Sequence, residues 1–110
     1  MPIFGFTIAR IRGRSMEPEL RHGTIALFRK RKRPVRGEVV LVDHPKLGRI
    51  ARKVTTVGRK GNVHLAATSR RVSGRCEKAG AVPREAVCGV LVRKLGRISL
   101  FGPRRRMDVY

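Results

Sequence analysis

The sequence predicts a small, mainly β fold, a coiled sheet or partly open barrel of the kind built from short strands, and three observations carry that expectation. Short runs rich in Val, Ile, Leu and Thr recur along the chain and are punctuated by Gly and Pro, the pattern of strands joined by turns. No internal repeat and no coiled-coil heptad is present, so the apolar runs must pack against one another as one sheet structure. The 110 residues suffice for a single domain, and with 41% hydrophobic residues, 5% aromatics and no Trp, its core must be made of Val, Ile, Leu and Ala.

Taken in order, residues 3–11 (IFGFTIARI) form the first expected strand. It runs into residues 12–20 (RGRSMEPEL), where Gly and Pro force a turn that presents Ser15 on a loop or a short helix start. Residues 24–28 (TIALF) and 38–43 (EVVLVD) read as the next strands, and between them the basic run 29–36, which contains Pro34, reads as a solvated loop. Residues 49–57 and 62–66 form an expected hairpin about the turn 58–61 (GRKG). Residues 68–81 are polar and Gly-containing and read as a long surface loop. Residues 87–95 and 98–101 read as a last strand pair about Gly96. The domain is expected to span 1–103, with 104–110 a basic C-terminal tail headed by Arg104, Arg105 and Arg106.

Lys and Arg number 27 against 7 Asp and Glu, a formal charge of +20. Such a surface attracts polyanions, nucleic acid or an anionic membrane face, with strong salt dependence but without specific recognition. The scarcity of aromatics argues against a single-strand nucleic-acid binder, which stacks bases on Phe, Tyr or Trp. The two cysteines, Cys76 and Cys88, make neither a CxxC motif nor a disulfide framework, and His22, His44 and His64 are scattered, so neither a metal site nor any other cofactor is expected. No stretch approaches the roughly 18 to 20 apolar residues that span a bilayer. Residues 1–9 (MPIFGFTIA) are too short and too uncharged for a secretory signal. A soluble, cytoplasmic chain is expected, with peripheral attachment to an anionic membrane as the alternative its charge allows; the oligomeric state is not readable.

The turn at Ser15 is the most specific feature. Gly13-Arg14-Ser15-Met16-Glu17-Pro18-Glu19-Leu20 resembles the first motif of the serine/lysine peptidases of the signal peptidase I and LexA superfamily, which has a small residue, Ser-Met, a variable residue, Pro, another variable residue and Leu. The likeness continues through residues 20–27, Arg36-Gly37-Glu38-Val39-Val40 and Arg52-Lys53-Val54, with Val82-Pro83 and Val87-Cys88-Gly89 similar to the C-terminal segment, so residues 8–95 can be laid along the pattern. The resemblance implies a LexA/signal peptidase-type β fold and a serine endopeptidase that processes a protein or leader-peptide substrate with small residues beside the scissile bond. Anchorless relatives of this length include maturation proteases that trim a metalloenzyme precursor.

Within that resemblance Ser15 is the nucleophile and Lys53 the general base. A serine hydroxyl attacks only when a neutral base takes its proton, and a lysine can serve once apolar burial or a neighbouring cation favours its uncharged form. The family pattern reads hydrophobic-Lys-Arg-Val, whereas this chain reads Ala51-Arg52-Lys53-Val54, so Arg52 competes for the base position. Arginine stays protonated in proteins and cannot act as a base. A flat strand puts 52 and 53 on opposite faces, and a bulge or one-residue shift would bring Lys53 to the serine side. Gly13 and Ser15 are the expected oxyanion-hole donors through backbone N–H groups. Met16 and Pro18 shape the turn and the substrate groove. The second family segment is represented by Ala67-Thr68-Ser69, Ser73-Gly74-Arg75-Cys76-Glu77 and Gly80, with Arg75 and Glu77 in reversed charge order. The alternatives are a non-cleaving pseudo-peptidase that binds peptide or protein, and a basic nucleic-acid-binding β domain. Self-cleavage at Ala79-Gly80 or Cys88-Gly89 is not expected, because both follow the serine inside the domain.

Overall fold

The computed structural model describes residues 2–3, 5–13, 16–30, 33–66, 80–97 and 108–110. Nine strands form one sheet: β1 (Pro2–Ile3), β2 (Phe6–Ile11), β3 (Thr24–Arg29), β4 (Val39–His44), β5 (Gly48–Val57), β6 (Val63–Ala66), β7 (Ala81–Val82), β8 (Val87–Arg97) and β9 (Asp108–Val109). The order across the sheet is β1-β2-β3-β8-β4-β5-β6-β7, with β9 beside β2, and a 3-10 turn, Arg84–Ala86, precedes β8. The sheet curls strongly into a half-barrel, and no α-helix occurs among the described residues. The expected mainly β class is what is found.

Most strand expectations agree with these bounds to within one or two residues. The first expected strand is instead two, because the chain turns at Gly5 and β1 folds back antiparallel on β2. Gly96 does not turn the chain either. It sits inside β8 opposite Ile25, next to a register shift, and its φ of 145° lets the strand pass through an irregularity without ending. Residues 98–101 lie outside the described residues.

Curling gives the sheet two packed faces. The inner face holds Ala9, Ile11, Met16, Leu20, Ala26, Phe28, Val39, Leu41, Ala51 and Val109. The outer face, to which β6 and β7 contribute Val63, Leu65 and Val82, also holds Val40, Val42, Ile50, Val54 and Val90. Val39–Val42 is buried on both faces, as an unbroken apolar run should be. Where β8 crosses β3, Gly89 admits a close approach: a Cβ there would lie 3.0 Å from the Phe28 Cβ.

Residues 108–110, within the segment read from the sequence as a basic tail, join the sheet. Asp108 and Val109 pair in parallel with Arg10 and Ile11 of β2, and the Arg12 N–H donates to the Val109 carbonyl at 2.8 Å. On the other side the Tyr110 N–H donates to the Arg49 carbonyl of β5 at 3.3 Å. The segment thus bridges the two flanks of the half-barrel. Val109 is fully buried in the inner core, and Asp108 receives Arg10 Nε at 2.6 Å and Arg12 Nη1 at 3.1 Å. The Asp108 hydrogen bond, then its charge, raise the Arg10 guanidinium above its already high ordinary pKa, against the opposing effect of burial.

Candidate active site

β2 ends at Ile11 and delivers the chain into the turn 16–20, which two buried side chains fasten to the inner core. Met16 and Leu20 are both fully buried, and the Leu20 N–H donates to the Met16 carbonyl at 2.8 Å. Burying a side chain of that size contributes roughly 2 kcal/mol, so Met16 and Leu20 at this spacing act as two pegs. Between them Glu17, cis Pro18 and Glu19 face outward to differing degrees. Pro18 and Glu19 border a cavity of about 220 Å³ whose far wall is Arg21, Thr24, Lys94 and Gly96. Ser15 itself lies outside the described residues, as do Cys76 and the segment 67–79 with Arg75 and Glu77.

β5 presents Lys53 and Arg52 to opposite sides. Its pairing with β4 is unbroken, Val39 opposite Lys53, Val40 opposite Arg52 and Leu41 opposite Ala51. Cross-strand partners share a face, so Lys53 lies on the inner face with Val39 and Ala51, and Arg52 on the outer face with Val40. No bulge is needed to arrange this. The irregularity in β5 comes later, between Val54 and Thr56 against β6.

The two side chains have different environments. Arg52 is 3% exposed and its Nη1 donates to the carbonyls of Ala51, at 2.7 Å, and Tyr110, at 2.5 Å, so its guanidinium closes the bridge made by residues 108–110. The Lys53 amine meets the Glu19 carboxylate at 2.6 Å, with both side chains a little over one-third exposed. Lys94 of β8 reaches the same residue from another side, its Nζ donating to the Glu19 carbonyl at 3.3 Å.

Gly13 contributes a contact that sequence reasoning did not find. Its N–H donates to His22 Nδ1 at 2.9 Å, tying the start of the serine loop to the turn before β3. A histidine nine residues on carries no spacing signal for this role. His44 caps its own turn, accepting the N–H groups of Lys46 and Leu47 at Nδ1, and His64 is exposed on β6. No group of three His, Cys, Asp or Glu side chains able to hold a metal occurs among the described residues.

A second cluster lies at the opposite end of β8, in a cavity of about 400 Å³ near Thr7 and Lys30. Arg49 forks onto Asp43 at 2.9 and 3.3 Å, and Cys88 Sγ donates to Asp43 at 3.1 Å. The Arg49 hydrogen bonds hold the Asp43 carboxyl below its ordinary range. Burial first, and then the Asp43 carboxylate, push the Cys88 thiol up to about 11, the reverse of an activated nucleophile.

A protein-family model described as Peptidase S24-like matches residues 5–76, well over half of the chain and inclusive of both Ser15 and Lys53. The chain belongs to the Peptidase S24-like family. That is a serine peptidase family within the LexA/signal peptidase superfamily, in agreement with the resemblance carried by the serine motif and with the curled β-sheet. No curated protein and no solved structure gave a match. Among the described residues of this S24-like chain, no helix is long and apolar enough to cross a membrane.

Proposed function

We propose that this S24-like chain is a serine endopeptidase that cleaves a protein or leader-peptide substrate, with Ser15 as nucleophile and Lys53 as general base. The observation that carries this reading is the face of β5 on which the amine lies. Lys53 shares the inner face with the turn that follows Ser15 and touches Glu19 of that turn, whereas Arg52 is turned away and used up on the Tyr110 and Ala51 carbonyls. Of the two competing residues, Lys53 can give up a proton and return it, and Arg52 cannot.

In the reaction the neutral Lys53 amine takes the Ser15 hydroxyl proton as the oxygen attacks the scissile carbonyl carbon. The proton then passes to the departing amine, and water repeats the sequence on the acyl-enzyme. Backbone N–H groups of Ser15 and Gly13 stabilise the oxyanion; for Gly13 this requires its N–H to exchange His22 Nδ1 for the substrate oxygen. Met16 shapes the groove from below as a core peg, and Pro18 shapes its rim. The formal charge of +20 favours acidic stretches in the substrate and gives salt-sensitive attraction to other polyanions.

One observation favours a second reading, a relative that binds peptides without cutting them: the Lys53 amine is engaged by a carboxylate, an arrangement suited to its charged form. Cleavage of a proteome-derived peptide library, read by mass spectrometry of new termini, separates the two. Ser15→Ala and Lys53→Ala are each expected to lower turnover by at least about 10³-fold while Arg52→Ala retains it. Absence of cleavage by the unsubstituted chain, together with peptide binding that survives Ser15→Ala, would establish the binder.

A further inference from the structure

We propose that Glu19 is a positioning residue that holds the Lys53 amine in reserve, and that the pair must part before Lys53 takes the Ser15 proton. The inference rests on the Ser15 and Lys53 reading above and adds a residue that the serine motif leaves variable. An amine clasped by a carboxylate at 2.6 Å is bound as an ammonium, whose nitrogen has no lone pair to offer. For catalysis the ammonium releases one proton to solvent and the amine leaves Glu19. Its lone pair then accepts the serine proton as the Ser15 oxygen bonds to the substrate carbonyl carbon, and that proton goes on to the leaving amine.

The geometry makes Glu19 the fixed member and Lys53 the moving one. Glu19 sits beside Leu20 in a turn pegged by two fully buried side chains, and its carbonyl is held by Lys94. Lys53 extends from β5 on a four-carbon stem that can swing by rotation about its own bonds. Both side chains reach water, and a partly exposed pair of this kind is weak, so it can open on each turnover. Among the described residues, Glu19 supplies the carboxylate that pairs with Lys53. Glu38, at the head of β4 next to the Lys53 partner Val39, turns its carboxylate to the Val35 N–H at 2.9 Å. β6 sets the neutral Ala66 opposite Lys53, β8 contributes the cation Lys94, and Arg52 on β5 faces the other way.

The test compares the full chain with Glu19→Gln and Glu19→Asp by two readouts. The first is the separate measurement of kcat and KM at neutral pH on a peptide that the unsubstituted chain cleaves. The second is trace acetylation of Lys53 by acetic anhydride near pH 7.5, quantified by mass spectrometry, which needs no turnover. Glu19→Gln is expected to raise kcat at neutral pH several-fold with KM within about twofold, and to acetylate Lys53 several-fold faster. Glu19→Asp, one methylene shorter, is expected to fall between. Unchanged acetylation or an unchanged kcat, with Ser15-dependent cleavage intact, overturns the role of Glu19 alone. Cleavage that survives both Ser15→Ala and Lys53→Ala overturns the dyad, and acetylation then still reports whether Glu19 holds the amine.

Discussion

Asp108 with Arg10 and Glu19 with Lys53 are ion pairs of the same length, 2.6 Å, placed in opposite surroundings. The Asp108 side chain is 1% exposed and takes a second arginine, Arg12, whereas the Glu19 side chain is 37% exposed and its carboxylate meets Lys53. A carboxylate withdrawn from water needs its cations to remain charged, so the first arrangement functions only when complete. A half-exposed carboxylate can exchange its partner for water at little cost. The first pair therefore suits a joint between strands, and the second suits the partner exchange that the proposed mechanism asks of Lys53. The amino acids follow the same division: guanidinium forks, which stay charged, at the joint, and an amine that can lose its proton at the site.

Removing one carboxylate from each pair should give the largest contrast. Asp108→Ala leaves two arginines facing a buried gap and is expected to cost about 3 kcal/mol or more, whereas Glu19→Ala should stay within about 1 kcal/mol, both read by urea denaturation. Equal losses would break the comparison. Arg52→Ala sharpens it along a single strand. It takes the donor from the Ala51 and Tyr110 carbonyls, for an expected loss of about 1–3 kcal/mol, while turnover per folded molecule stays within a few-fold. A collapse of turnover without loss of stability would instead give Arg52 a part in the reaction, as a fixed cation and not as the base.

The smallest expected effect concerns the Asp43, Arg49 and Cys88 cluster. Because the Asp43 carboxyl is depressed in the fold, its stabilising contribution is complete above its ordinary value near 3.8 and fades as pH falls through the lower folded value. With both side chains well exposed, that contribution is at most about 1 kcal/mol, measured as the difference in urea midpoint between the unsubstituted chain and Asp43→Asn at pH 6 and pH 3. Cys88 runs in the opposite sense. Its alkylation by iodoacetamide should rise about tenfold per pH unit from 7 to 10 without levelling, as expected for a thiol near 11. A plateau near pH 8 would show a reactive thiol.

The strands that position the site were readable because their information is local. Residues 24–28, 38–43 and 49–57 alternate or run apolar between Gly and Pro, and the hairpin turn is written as GRKG. The opposition of Arg52 and Lys53 was also readable, since it follows from the pleat. Which of them faces the serine turn was not, because that depends on the pairing of β4 with β5 and on how the whole sheet curls. Glu19 was hidden at a variable position of the motif, and its partner is 34 residues away. Asp108 was harder still. It lies next to a run of arginines, in a parallel pairing whose partner strand is near the other end of the sequence, and two-residue strands have no periodicity. Gly96 misled because glycine marks turns and strand irregularities alike.

The bridge made by residues 108–110 also sets a schedule for folding. Its ion pair joins positions 98 residues apart, so the loop between them must close at a high entropic cost before the contact can contribute. During synthesis β2 to β8 can pair as they emerge, but the parallel pairing of β9 with β2 and the Tyr110 to Arg49 hydrogen bond form only after residues 108–110 have followed them. Adding β9 between those strands is therefore a late step of assembly, one that follows the pairing of the strands it joins.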